Sequence, residues 1–297
     1  MRAYQFQDPF EGKTGVYQFT MDHLEKMLLF RTPEDYDYGV NTLALATLRY
    51  PARILCYSLM NNHFHLLLIG AYQDCLNFFL WVLRRLRIML KQRYDLTGAL
   101  SDQAFDVSAI TDERMFLNEV AYILRNPYKA RMASPYAFAW SSADVYFNPW
   151  REYVHGIPFG TLMQKEKKAL LQSHFQVPDH WEHVNGRILN RFFVEYTLVE
   201  NRAADSVRFF DQVRSYNIES AVHTAHGLPE AITFTDGEMQ ERIQVICKQE
   251  YHVASWQQLD NKTLLVLART LARRYSCPKT QIGRLLGLSS DVLEKLL

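Results

Sequence analysis

Two histidines one residue apart, His63 and His65, stand between two apolar runs. Arg53-Ile54-Leu55-Cys56-Tyr57-Ser58-Leu59-Met60 precedes them across Asn61-Asn62, and Leu66-Leu67-Leu68-Ile69 follows. Side chains alternate between faces on an extended strand, so both imidazoles point one way while Phe64 points into the core. Two neutral imidazoles held on a rigid strand are a ready ligand pair for a divalent ion. Downstream, Tyr122 and Asn126 are four apart in Tyr122-Ile123-Leu124-Arg125-Asn126-Pro127, so both project from one face of a helix. A phenol, with its pKa of about 10, is a poor nucleophile at neutral pH. It becomes an effective one where a metal neutralises the non-bridging oxygens of a phosphodiester. The side-chain carbonyl of Asn126 supplies a third ligand beside His63 and His65. Two nitrogens and one oxygen with open positions suit Mg²⁺ or Mn²⁺, without excluding zinc. Each string has an ordinary reading by itself: a chance pair in a chain of ten histidines, a half-buried tyrosine, a helix stop. Their combination, in this order, points to phosphodiester chemistry.

These residues need a scaffold. Residues 15–20 alternate as a strand that Met21-Asp22 breaks, and 33–50 carry a helical pattern with Tyr36, Val40, Leu43, Leu45 and Leu48 for burial. Strands follow over 53–59 and 64–70. The turn Met60-Asn61-Asn62 between them uses the tolerance of asparagine for positive φ. Helices are expected over 74–94 and 112–126, the second ending where Pro127 biases Asn126 away from α geometry. The order predicts an α/β (α+β) fold with a ferredoxin-like antiparallel sheet. Strand signals stop near Asn148-Pro149-Trp150. Residues 160–215 read as mostly helical, including the solvated Gln164-Lys165-Glu166-Lys167-Lys168. The turn-rich His226-Gly227-Leu228-Pro229 then precedes a last helical unit. The expected division is 1–150, 151–230 and 231–297.

Composition bounds the rest. A chain of 297 residues holds more than one domain, and a formal charge of +1 gives no global electrostatic case for nucleic acid. Cys56, Cys75, Cys247 and Cys277 form no C-x-x-C pair, which argues against a structural zinc site or a disulfide framework. With no apolar leader and no membrane-length apolar run, a cytoplasmic protein is expected. No G-x-x-x-x-G-K-[ST] loop is present, in keeping with chemistry that needs no ATP.

Positive charge is local. Arg84, Arg87 and Lys91 share one helical face, a candidate track for a phosphate backbone as well as an ordinary solvated face. Arg125 and Lys129 flank Tyr122, and Tyr94, Tyr128 and Tyr136 are candidates for base stacking. Near the end, helices over 262–275, 278–286 and 289–297 are expected, with Pro278 in a first turn, Gly287-Leu288 as a turn and Ser289 as an N-cap. Arg269, Arg273, Arg274, Lys279 and Arg284 make this stretch basic. It is similar to a helix-turn-helix of the initiator type, although its last helix carries only Lys295 as a cation. The pairs His180/His183 and His223/His226 lack the H-E-x-x-H pattern and read as surface or interface histidines.

Asn62-His63-Phe64-His65-Leu66-Leu67 resembles the HUH motif of the single-tyrosine transposases. Tyr122-Ile123-Leu124-Arg125-Asn126-Pro127-Tyr128-Lys129-Ala130 and Trp140-Ser141-Ser142 are similar to the tyrosine helix and trailing segment of the REP-associated branch. The resemblance covers roughly residues 14–150. The resemblance implies that His63 and His65 bind the metal, that Asn126 stands where a third polar ligand sits, and that Tyr122 attacks single-stranded DNA. The products would be a 5′-phosphotyrosine and a free 3′-hydroxyl. Asn61 replaces the family's usual proline, a change expected to alter the turn and leave the chemistry alone.

The expected activity is a metal-dependent transposase-like endonuclease and strand transferase acting on single-stranded DNA hairpins, with duplex DNA held by the C-terminal region. A homodimer is compatible with this. Two other readings stay open: a domesticated regulator that binds specific DNA without cleaving, and a phosphodiesterase that uses water, with Tyr122 structural.

Overall fold

The computed structural model describes residues 14–21, 27–97, 100, 105–130, 132–203, 205–214, 234, 236–275 and 277–296. Four strands, β1 (Thr14–Met21), β2 (Arg53–Leu59), β3 (Phe64–Ala71) and β4 (Phe105–Ile110), form an antiparallel sheet in the order β2-β3-β1-β4. Helix α1 (Pro33–Arg49) links β1 to β2, and α2 (Tyr72–Tyr94) links β3 to β4. That is the ferredoxin-like succession the sequence suggests.

The period-two pattern divides the sheet into two faces. Phe19 of β1 and Phe64 of β3 pack on Phe79 of α2, with ring centroids 5.1 and 5.4 Å apart. On the other face, the register aligns Ser58, His65, Thr20 and Asp106 in one row across all four strands. Helix α3 (Glu113–Lys129) packs against β2 and β3. Its start is fixed by the Asp112 carboxylate, which accepts from the Met115 N–H at 2.8 Å and so satisfies a donor that the helix cannot.

Several local expectations are corrected. β1 includes Met21, which is fully buried, and Leu48 of α1 is exposed. α3 does not end at Asn126 but runs three residues further, with Pro127 inside it. Proline has no N–H to give the Ile123 carbonyl, while its own carbonyl accepts the Met132 N–H at 2.9 Å. Neither Asn61 nor Asn62 takes positive φ. Their turn is held from outside, where the Asn61 carbonyl accepts the Leu29 and Phe30 N–H groups at 2.6 and 3.0 Å.

Strands also do not stop near residue 150. Ile157–Pro158, Glu182–Val184 and Arg187–Ile188 form a second small sheet, in a region expected to be mostly helical. Strands of two or three residues are too short to leave a period in the sequence. The α1 residue Asn41 ties this sheet to that helix, donating to the Gly186 carbonyl at 2.7 Å and accepting from the Ile188 N–H at 2.9 Å. Residues from Val16 to Val213 contribute to one core cluster, and residues from Met239 to Leu293 to another.

The second cluster is built by helices Asp236–Glu250, Asn261–Tyr275, Lys279–Leu286 and Ser290–Leu296. Pro278 caps the third instead of entering it, and Gly287 ends it with φ 65°. No helix among the described residues is long and apolar enough to cross a membrane. His223, His226 and the turn at 226–229 lie outside the described residues.

Candidate functional site

β3 begins at Phe64, so His65 is its second residue and His63 sits in the turn just before it. Both rings still reach the same point: the two Nε2 atoms are 3.1 Å apart, with the ring planes 88° to each other. Cis ligands at metal–nitrogen bonds of about 2.1 Å would lie roughly 3.0–3.4 Å apart, so this spacing fits one shared ion. Each outer nitrogen also has a partner. His63 Nδ1 is 2.9 Å from Asn62 Oδ1, an atom that can only accept, which places a proton on His63 Nδ1. His65 Nδ1 is 3.2 Å from the Thr20 hydroxyl, which itself accepts from Gln18 Nε2 at 3.2 Å.

Tyr122 lies on the same side of the sheet. Its ring meets His65 edge to face, with centroids 5.5 Å apart. The geometry follows from α3: Glu119, Tyr122 and Asn126 share one stripe of the helix, and all three are buried. The Asn126 amide nitrogen donates to the Tyr122 carbonyl at 3.0 Å, which leaves Oδ1 as its remaining polar atom. Among the described residues no group of three His, Cys, Asp or Glu side chains is placed to hold a metal ion. Among the described residues, a third protein ligand would be an amide or hydroxyl oxygen. His63, His65 and Tyr122 are all buried.

Burial also sets the state of Glu119. Desolvation pushes its carboxyl up to about 8, which leaves it mostly protonated at neutral pH. Nearby Cys56 is raised to about 12, first by burial and further by Glu119.

The trailing segment covers the open edge of β2. Leu59 N–H donates to the Trp140 carbonyl at 3.0 Å, Ser58 and Ser141 form an antiparallel bridge, and Ser142 Oγ accepts the Tyr57 N–H at 3.0 Å. The resemblance singles out Trp140-Ser141-Ser142, and its structural work is this covering of an edge.

The expected basic residues separate. α2 packs the sheet face opposite to the imidazoles. On it, Arg84 and Lys91 are exposed, while Arg87 Nη2 donates to the Leu100 carbonyl at 2.6 Å. Arg125 is buried and lies over the ring of Tyr128, which is exposed; Lys129 is half-buried. Tyr94 is engaged by Asp35, donating its hydroxyl at 2.5 Å, and Tyr136 packs on Phe210. In the C-terminal cluster, Arg273 and Lys279 are exposed, while Arg274 pairs with Glu250 and Arg284 with Asp236. His183 is buried on Phe159, and its Nδ1 accepts the Gly186 N–H at 3.2 Å, which makes it a structural histidine, not a surface one.

Sequence reasoning gave Gln18, Thr20 and Glu119 no part in the site, and Asn62 only a place in the turn and the motif string. The alternation of β1 marks Gln18 and Thr20 as one face, but which strand pairs with it cannot be read from that alternation alone.

No family model matches the chain, and no curated protein matches it. Among solved structures it is similar to a REP-associated tyrosine transposase bound to a REP hairpin. The identity is 16%, over 43% of this chain and 76% of that one, with a TM-score of 0.34. At that distance the site is read from its own geometry.

Proposed function

We propose that this chain is a metal-dependent DNA strand transferase that cleaves single-stranded hairpin DNA through Tyr122. The observation that carries the reading is the meeting of three side chains: two imidazole Nε2 atoms 3.1 Å apart and a tyrosine ring against one of them. His63 and His65 would hold a divalent ion such as Mg²⁺ or Mn²⁺, with Asn126 Oδ1 as the oxygen ligand. When bound, that ion supplies charge neutralisation for the non-bridging phosphate oxygens.

The remaining chemistry belongs to the chain. The Tyr122 oxygen bonds to phosphorus and its proton leaves to solvent. The bond from phosphorus to the 3′ oxygen breaks, and that oxygen takes up a proton. One phosphate ester bond replaces another, so a 3′-hydroxyl can reverse the step without a nucleotide cofactor. α3 orients Tyr122 from a packed helix rather than a loop, which favours attack from one direction.

The hairpin preference and the transposase-like role follow from the motif resemblance. A cytoplasmic location, duplex binding by the C-terminal helices and the division at residues 150 and 230 belong to the same proposal.

The test is to incubate the protein with hairpin single-stranded DNA and Mn²⁺ and look for an adduct that survives denaturant. The expected result is an adduct from the wild type and none from Tyr122→Phe. An undiminished adduct from the variant removes Tyr122 as the nucleophile. Cleavage that leaves 5′-phosphate ends without an adduct would favour attack by water.

A further inference from the structure

Positive charge is concentrated on one side of the catalytic-type sheet. The whole chain carries a formal charge of +1, yet α2 and α4 (Gln164–Leu171) together hold eight Lys and Arg against two Asp and Glu. The one acid of α2 is Asp74, in its first turn. The two helices are neighbours. Arg85 Nη2 donates to the Leu171 and Gln172 carbonyls at 3.3 and 3.0 Å, so a cation from α2 closes the C-terminal end of α4. Trp81 of α2 also meets Phe175, just beyond α4, edge to face at 5.7 Å.

Four of the eight cations are engaged within the protein. Arg85 holds the two carbonyls, Arg87 the Leu100 carbonyl, Arg93 the Asp35 carboxylate and Lys167 the Asp179 carboxylate. The other four, Arg84 and Lys91 on α2 and Lys165 and Lys168 on α4, are exposed and pair with no acid among the described residues. Arg49, at the end of α1, is exposed beside them, its guanidinium 6.0 Å from the Trp81 ring centroid and 5.8 Å from that of Phe175. Arg84 and Lys91 are seven residues apart on one stripe, about 10 Å along the helix axis. That is the rise of about three successive phosphates on one strand of a duplex.

The rings at this surface are already covered. Trp81 carries Arg49 and Arg85, and Tyr38 carries Arg85 and Arg93. A single strand gains much of its affinity from bases stacked on open rings, whereas a duplex turns its phosphates outward and needs only cations. α2 packs the sheet face opposite to the imidazoles. A helix and the sheet together put about 15 Å of protein between the two places, so they would hold different parts of a DNA.

We propose that α2, α4 and Arg49 form a duplex-binding surface on the back of the sheet, separate from the imidazole pair and indifferent to base sequence. The choice of polyanion rests on the DNA reading above; nothing in the surface depends on a metal or on Tyr122.

The experiment uses the full-length protein and a short blunt duplex of scrambled sequence. Anisotropy across a salt series gives the slope of log affinity against log salt, and acetylation followed by mass spectrometry gives the lysines that the duplex shields. Replacing Arg84, Lys91 and Lys168 together with Ala should lower the slope by about 3, at about 0.9 per phosphate contact. Arg84→Lys with Lys91→Arg and Lys168→Arg should keep the wild-type slope, because charge and not shape is read. In the wild type, Lys91, Lys165 and Lys168 should be shielded by the duplex. An unchanged slope in the folded Ala variant overturns the proposal, as do unshielded lysines or a wild type that binds no duplex. A single-stranded oligonucleotide that shields these lysines as well as the duplex does overturns the choice of duplex. If the Ala variant does not fold, the wild-type footprint decides. A missing Tyr122 adduct beside an intact duplex footprint would sink the strand-transfer reading and leave this surface standing.

Discussion

The Tyr122 ring stands edge-on to the His65 imidazole, 5.5 Å between centroids and 85° between planes. A single residue thus joins the proposed nucleophile on α3 to the imidazole pair at the start of β3, and the two proposed jobs can be separated by substitution. His65→Ala removes one of the two proposed nitrogen ligands. It should weaken Mn²⁺ binding by more than about 100-fold, since even outer partners are worth 10- to 100-fold. Tyr122→Phe keeps the ring contact, so Mn²⁺ affinity should stay at the wild-type value while the DNA adduct disappears. Calorimetry beside a denaturing gel reads both. If Tyr122→Phe lost the metal as well, Tyr122 would be a ligand.

Glu119 should make stability depend on pH. Its carboxyl rises from 4.5 to about 8 because burial disfavours the charged form. Below the ordinary value both folded and unfolded chains hold the proton, and the group contributes no slope. Between 4.5 and about 8 only the folded state holds it, so stability falls as pH rises through that window and levels off above it. Glu119→Gln stays neutral throughout. Its advantage over the wild type should grow with pH by up to about 1.4 kcal/mol per unit. Urea midpoints at several pH values check this, and parallel curves for the two proteins would refute it.

Asp35 anchors the start of α1 and the end of α2. Its buried carboxylate accepts from Arg93 and from the Tyr94 hydroxyl, each at 2.5 Å, and from the Arg31 and Thr32 N–H groups at 2.8 and 3.2 Å. Asp35→Ala strands all four donors and should cost about 3 kcal/mol. Arg93→Ala should cost clearly less, because Asp35 keeps its three other donors. Chemical denaturation ranks the two variants, and an equal loss from both would mean that the ion pair alone carries the stabilisation.

Much of this arrangement was legible in the chain. The His-Phe-His alternation set two imidazoles to one side and Phe64 into the core, where it meets Phe79, and this holds although His63 precedes the first residue of β3. Four-residue spacing put Tyr122 and Asn126 on one stripe of α3. What stayed hidden depends on pairing. Thr20 meets His65 because β1 pairs with β3, and that register is set by the whole sheet. One missed element had a signal: Asn185-Gly186, between His183-Val184 and Arg187-Ile188, is a hairpin dipeptide, and both residues take positive φ. The extension of α3 past Asn126 had none, since Pro127 argues locally for a stop that tertiary packing overrides.

The basic residues divide by what they touch, and salt dependence should reveal the division. In the C-terminal cluster Arg273 and Lys279 are exposed, whereas Arg274 and Arg284 are drawn into pairs with Glu250 and Asp236. If this face follows duplex phosphates, replacing both Arg273 and Lys279 with Ala should reduce the slope of log affinity against log salt by about 2. The same replacement should leave the thermal midpoint unchanged. Arg87→Ala should do the reverse, lowering the midpoint because it loses the contact with the Leu100 carbonyl, with little effect on the slope. Fluorescence anisotropy with a short duplex across a salt series measures the slopes. An unaltered slope in the double variant would move the duplex footprint off the C-terminal helices.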